Sequence, residues 1–277
     1  MTLPRGQLLE AAERWGTPLY VTDLDAAAAA AHAWRAALPG ALVAYAVKAN
    51  PDPALLRRLA DEGFGFEVVG PIELALALRA GGAPERIVVN GVGQTDADLG
   101  GALGAGALVN AESLGALEAL LRAPGRGRIG LRINPALDAG AHPHLATGSA
   151  DAKFGIALDE LLAALGRLGR PPESVGAHIG SAIADADPYG ELAAMLARLA
   201  NEMGARQIDL GGGFAGEPEA LASALRPHLP NTARLIVEPT EALSFVMSQK
   251  MLRGIKDRAE RTAQMQELTT SSLEGVR

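Results

Sequence analysis

Eight short apolar runs punctuate this chain, helical spacing follows the first seven, the fifth of them after a longer loop, and few folds accept that rhythm. The runs are 41–47, 64–69, 86–90, 107–110, 128–134, 174–178, 206–210 and 234–238. Helical patterns follow at 53–62, 71–80, about 96–103, 112–122, 159–168, 189–203 and about 218–225. Strand-then-helix units with short connections build parallel sheets, and eight of them suffice to close a (β/α)8 barrel. A flat doubly wound sheet is the competing architecture. It calls for a glycine fingerprint after the first strand, where this chain has Lys48-Ala49-Asn50-Pro51.

Ahead of the repeat, 8–15 reads as a helix stopped by Gly16 and Pro18, and Leu19-Tyr20-Val21 as a strand. Thr22 or Asp23 then caps a long alanine-rich helix reaching Leu38. Behind it, the barrel is expected to occupy 1–248 and a helical tail 249–277. Met247, Met251, Ile255, Ala259 and Ala263 recur at helical spacing, and the tail is net basic in a chain whose net charge is -7. A closing amphipathic helix is the simple reading of that tail, and a membrane-surface or partner helix the sharper one.

An acidic chain with no broad basic field is not a nucleic-acid surface. With no cysteines, disulfides and thiolate metal sites are excluded. Of five histidines only His142 and His144 lie close together, which gives metal chemistry little footing. No apolar run approaches the roughly 20 residues of a membrane span, and the first residues lack a signal peptide's apolar core. The expected setting is cytoplasmic.

Functional groups in such barrels gather at the C-terminal ends of the strands. Taken in order, those ends carry Lys48, Glu67, Asn90, Asn110, Asn134, His178 with Ser181, Gly211-Gly212-Gly213, and Glu238. Each has a plain structural explanation: turn chemistry for the asparagines, a hydrogen-bonded core histidine, a tight turn for the glycines, a snorkelling lysine. Together they suggest more. A lysine ending a buried strand is partly desolvated, loses its proton more easily, and can form a Schiff base with an aldehyde such as pyridoxal phosphate. Three glycines before a helix expose N–H groups suited to a phosphate. An acid ending the eighth strand suits a pyridinium nitrogen, and His178 can lie against the ring.

These residues sit in segments that resemble one family. Gly16-Thr17-Pro18-Leu19-Tyr20-Val21, Tyr45-Ala46-Val47-Lys48-Ala49-Asn50, Leu131-Arg132-Ile133-Asn134-Pro135, His142-Pro143 to Thr147-Gly148, Lys153-Phe154-Gly155-Ile156, His178-Ile179-Gly180-Ser181, Asp209-Leu210-Gly211-Gly212-Gly213 and Glu238-Pro239 run in the order of the fold-type III pyridoxal phosphate decarboxylases. The diaminopimelate branch is the most similar, with ornithine and arginine decarboxylases as cousins. The resemblance implies a barrel of the alanine racemase/decarboxylase type and pyridoxal 5'-phosphate as cofactor. It implies Lys48 as the aldehyde-holding lysine, His178 as the stacking residue and Glu238 as the ring-nitrogen partner, with Ser181, Gly211, Gly212 and Gly213 on the phosphate. The substrate would be a basic or diamino acid, and a homodimer is possible.

Departures from the family pattern are specific. Thr240-Glu241 replaces the usual Gly-Arg after Glu-Pro, Glu67-Val68-Val69-Gly70 stands where Asp-Val-Val-Ser is usual, Gln94 stands for a lysine, and Ala182 for a glutamine. Nothing resembling the family's C-terminal β-domain follows residue 250. The sequence therefore reads as a barrel domain alone, with impaired turnover expected. A non-catalytic cofactor carrier and a degenerate domain kept for assembly stay open beside the decarboxylase.

Overall fold

The computed structural model describes residues 3–124, 127–137, 154–228 and 234–238. Eight parallel strands close in sequence order, with β8 returning to β1. They are β1 (Leu42–Ala46), β2 (Gly65–Val68), β3 (Ile87–Val89), β4 (Leu108–Ala111), β5 (Arg128–Arg132), β6 (Ser174–Gly176), β7 (Gln207–Gly212) and β8 (Arg234–Glu238). Helices α1 (Arg5–Trp15) and α2 (Leu24–Ala37) precede the barrel. Around it run α3 (Pro53–Asp61), α4 (Pro71–Arg79), α5 (Asp96–Gly104), α6 (Leu114–Arg122), α7 (Leu161–Leu168), α8 (Asp187–Met203) and α9 (Pro218–Leu225).

Local chemistry sets the helix starts. Asp23 accepts the Ala26 N–H at 2.9 Å, Asp52 caps α3 with Pro53 in its first turn, and Thr95 with Asp98 forms a capping box on α5. Gly169 and Gly204 end α7 and α8 in the left-handed conformation, at φ 65° and 69°.

Side-chain alternation along the strands divides the core in two. One face, with Val43, Tyr45, Phe66, Val68, Val89, Val109, Leu131, Val175, Ile208 and Leu210, packs outward against the helices in the main apolar cluster. The other face points into the barrel, where Leu42, Val88, Leu108 and Ile236 form a small separate apolar layer. Above that layer the interior turns polar: Asn110, Ser174 and Asp209 are buried and bonded together. Glycines make room for them. A Cβ on Gly130 would lie 2.0 Å from both Asn110 Oδ1 and Ser174 Oγ, and one on Gly176 2.6 Å from the Asp209 Cβ.

Two expectations change. Leu19-Tyr20-Val21 forms no strand, and Tyr20 is 81% exposed. A closed barrel has no free edge to receive another strand. Lys48 is not the last residue of its strand either: β1 stops at Ala46, and Lys48 lies in a 3-10 turn, Val47–Ala49. The tail at 249–277, Thr240-Glu241, the His142–Gly148 loop and Lys153 lie outside the described residues. So does the Glu238 side chain, although its backbone pairs with Gly212.

Gly130→Ala should therefore destabilise the protein by about 1–3 kcal/mol, because the new methyl must displace a buried hydrogen-bonded pair rather than a flexible chain end. Urea unfolding measures it. An alanine variant as stable as the wild type would contradict the packing inside β5.

Candidate active site

At the C-terminal mouth of the barrel lies a cavity of about 160 Å³, lined by Lys48, Glu67, Asn90, Asn110, Arg132, Phe154, His178, Asp209 and Gly211, with Gly176 and Ala177. Lys48 Nζ donates to Glu67 Oε2 at 2.7 Å. The lysine side chain is 51% exposed and the glutamate side chain 1%. The amine thus pairs with a buried acid in the cavity wall while half of the lysine side chain stays exposed. Burial pushes the Glu67 carboxyl above the usual range, and the Lys48 ammonium opposes that shift.

Across the mouth, β6 and β7 present the other group. Gly212 N–H donates to His178 Nδ1 at 3.2 Å, and Gly211 N–H donates to Asp209 Oδ1 at 2.9 Å. Burial drives the imidazole down to about 3, with Arg132 and Lys48 adding to the effect, so His178 is a neutral ring at physiological pH. Gly213 abuts the next loop closely, since a Cβ there would lie 1.8 Å from Gly180 O and 3.0 Å from the Ser181 Cα. The chain crosses back between the loops, with Ile183 N–H donating to Gly213 O at 2.9 Å.

Three lining residues escaped the strand-end reading. Asp209 is 2% exposed, accepts from Asn110 Nδ2 at 3.1 Å as well as from Gly211, and burial lifts it to about 6. Arg132 Nη1 lies 3.0 Å from each oxygen of Glu112, and its guanidinium stands 5.4 Å from the Phe154 ring centroid. A signal for the first two was available: Gln207 and Asp209 on β7, and Arg128 and Arg132 on β5, alternate with apolar neighbours. Asn134 is the reverse case. Its Oδ1 accepts the Ala136 N–H at 3.0 Å, which is turn chemistry, and it does not line the cavity.

The structure thus gathers Lys48, His178 and Gly211 around one cavity and sets Gly212, Gly213 and Ser181 in the adjoining turn and loop. A paired amine, a neutral imidazole and a glycine turn meet at one barrel mouth. Residues 24–243 match the family described as pyridoxal-dependent decarboxylase, pyridoxal binding domain. The chain belongs to that family, whose cofactor is pyridoxal phosphate.

Diaminopimelate decarboxylase of Deinococcus radiodurans is 38% identical over 234 residues, which cover 82% of this chain and 60% of that protein. The Aquifex aeolicus enzyme is 36% identical over 260 residues, 85% of this chain and 62% of its own length. Among solved structures, Helicobacter pylori diaminopimelate decarboxylase complexed with L-lysine superposes with a TM-score of 0.78 at 30% identity. That match covers 84% of this chain and 65% of the other. The chain thus spans about 60% of the length of the curated relatives it matches.

The site's two displaced titrations oppose each other. Asp209 binds its proton more tightly folded than unfolded, so stability falls as pH rises from 3.8 to about 6. His178 binds its proton less tightly folded, so stability rises with pH between about 3 and 6.5. In the overlap the contributions largely cancel, each at most about 1.4 kcal/mol per pH unit. Asp209→Asn should leave the His178 contribution alone, giving unfolding free energies that climb more steeply with pH than the wild type's between about 4 and 6. His178→Gln should tilt the profile the other way. Denaturant titrations across that window test both, and profiles parallel to the wild type's would contradict the assigned shifts.

Proposed function

We propose that this chain is the cofactor-binding barrel of a pyridoxal phosphate-dependent decarboxylase acting on a basic or diamino acid, with diaminopimelate the leading substrate. The observation that carries the reading is the Lys48–Glu67 pair, an amine held at 2.7 Å from a buried acid in a cavity that a neutral imidazole faces. The relatives' names support the substrate class, and the L-lysine in the Helicobacter complex supports a diamino acid.

The residues present fit the cofactor. Lys48 would hold the aldehyde carbon. Before its amine can act as a nucleophile it must lose a proton, and Glu67 Oε2 is placed to take it, because burial has raised that carboxylate's proton affinity. His178, uncharged, would lie against the ring without competing with positive charge on the ring nitrogen. Glu238 is the partner assigned to that nitrogen. The phosphate is assigned to the Gly211–Gly213 turn and the Ser181 loop. Gly213 and Ser181 would be its first partners, since the Gly211 and Gly212 N–H groups are engaged within the chain. When bound, pyridoxal phosphate supplies an electron-withdrawing ring that accepts the electrons left as the substrate's α-carboxylate departs. Arg132, fixed by Glu112, adds a cation to the same cavity.

Mixing the protein with pyridoxal phosphate should give the absorbance band of a lysine-bound aldehyde, and borohydride reduction should place the added mass on the Lys48 peptide. Lys48→Ala should lose both. Carbon dioxide release is then compared for diaminopimelate, lysine, ornithine and arginine, with diaminopimelate expected to be fastest. A band without release from any of the four would favour a carrier over an enzyme. A band retained in Lys48→Ala would overturn the anchor.

A further inference from the structure

Between β7 and β8 the pairing slips. Asp209 stands opposite Ile236 and Gly212 opposite Glu238, so three steps on one strand meet two on the other. The extra residue makes a β-bulge, which leaves backbone N–H groups outside the ladder. Side chains receive two of them. Gly211, at φ 63°, donates to Asp209 Oδ1, two residues back along its own strand. Gly212 donates to His178 Nδ1 on the neighbouring loop. The contact is tight: a Cβ on Gly211 would lie 2.7 Å from Ala177 O and 3.0 Å from His178 Nδ1.

The donor fixes more than a distance. A backbone N–H only donates, so Nδ1 must be the accepting nitrogen and the proton of the neutral ring sits on Nε2. The other Asp209 oxygen accepts from Asn110 Nδ2. Asn110 is itself held, donating to Asn90 Oδ1 at 2.8 Å and accepting from Ser174 Oγ at 2.7 Å. Asp209 therefore uses both oxygens, one toward the barrel interior and one toward the turn, from a position where ionising is costly.

We propose that Asp209 is a positioning residue for His178: its carboxylate braces the β7 bulge, the braced bulge aims the Gly212 N–H at Nδ1, and that bond holds the imidazole in one tautomer and one orientation at the cavity wall. The glycine triplet serves the histidine first. This deepens the decarboxylase reading and rests on it for the ring that His178 would face, while the hydrogen bonds themselves are tested separately.

The test is nitrogen NMR of the 15N-labelled full chain without cofactor, which reports the tautomer of His178 directly. In the wild type His178 should show a bare, hydrogen-bonded Nδ1 and a protonated Nε2 from about pH 5 to 8. Asp209→Leu fills the same space without either acceptor. It should lose the single tautomer, giving an exchange-averaged ring. Asp209→Asn keeps one acceptor for the Gly211 N–H and should retain it. A folded Asp209→Leu protein whose His178 stays wholly in the Nε2–H form would overturn the proposal. So would an Asp209→Asn protein that loses the tautomer as completely as the leucine variant, because charge and not the brace would then be responsible. Should leucine prevent folding, Asp209→Ala carries the same expectation. Cofactor affinity measured on the same variants should fall with tautomer purity, and affinity falling equally in all of them would point to a general structural role.

Discussion

A closed parallel barrel must fill its own interior, and this one fills the upper half with polar groups that have nowhere else to bond. Asn110 is the hub: it reaches Asn90 on the loop after β3, Ser174 on β6 and Asp209 on β7. Four chain segments that share no sequence neighbourhood are thereby tied at one level. An apolar layer would have packed as well, but its contacts are non-directional. Hydrogen bonds fix angle as well as distance, and an unpaired buried group is costly. The result is a rigid floor beneath the cavity, with Gly130 and Gly176 giving the space that the asparagine, serine and aspartate occupy.

That floor also balances charge. Two cations, Lys48 and Arg132, line the cavity, and each has its own acid, Glu67 and Glu112. Asp209 is the acid beyond those pairs, and it is held by N–H groups rather than by a cation in contact. Burial raises its proton affinity, and the neighbouring N–H groups and Arg132 lower it. His178 between these groups stays neutral because burial and two nearby cations act in the same direction. The site thus holds an amine with a ready proton acceptor opposite a ring that carries no charge of its own.

How much of this was legible in the chain depends on the kind of information each residue carries. The eight strands and the seven helices between them were readable, since apolar runs, caps and glycine stops are local, and the 218–225 helix and the 234–238 strand fall where the pattern puts them. Lys48 and His178 were readable because both are conspicuous residue types beside apolar runs. Asp209 and Arg132 were not singled out, though both lie in quoted motifs. Only the last residue of each run was weighed, whereas β5, β6 and β7 place small or polar residues inward along their length and apolar ones outward. The strand expected at 19–21 failed for a non-local reason: its partners were already taken by barrel closure.

The bulge on β7 shows why motif and mechanism separate here. A run of three glycines suggests an anion cradle, because exposed N–H groups suit a phosphate. In the folded chain Gly211 and Gly212 commit those groups to Asp209 and His178. Their lack of a side chain matters more than their N–H dipoles, since a Cβ at Gly211 or Gly213 would collide with the backbone of the loop after β6. The triplet is therefore first a packing device that lets two loops touch. The bulge it permits also sets the pairing at the end of β8: Gln207, Ile208 and Asp209 pair with Arg234, Leu235 and Ile236 ahead of it, and Glu238 stands opposite Gly212 beyond it. A slip of one residue there would exchange the two faces of that strand. The turn that orients the histidine is thus the same turn that decides which residue of β8 stands opposite Gly212.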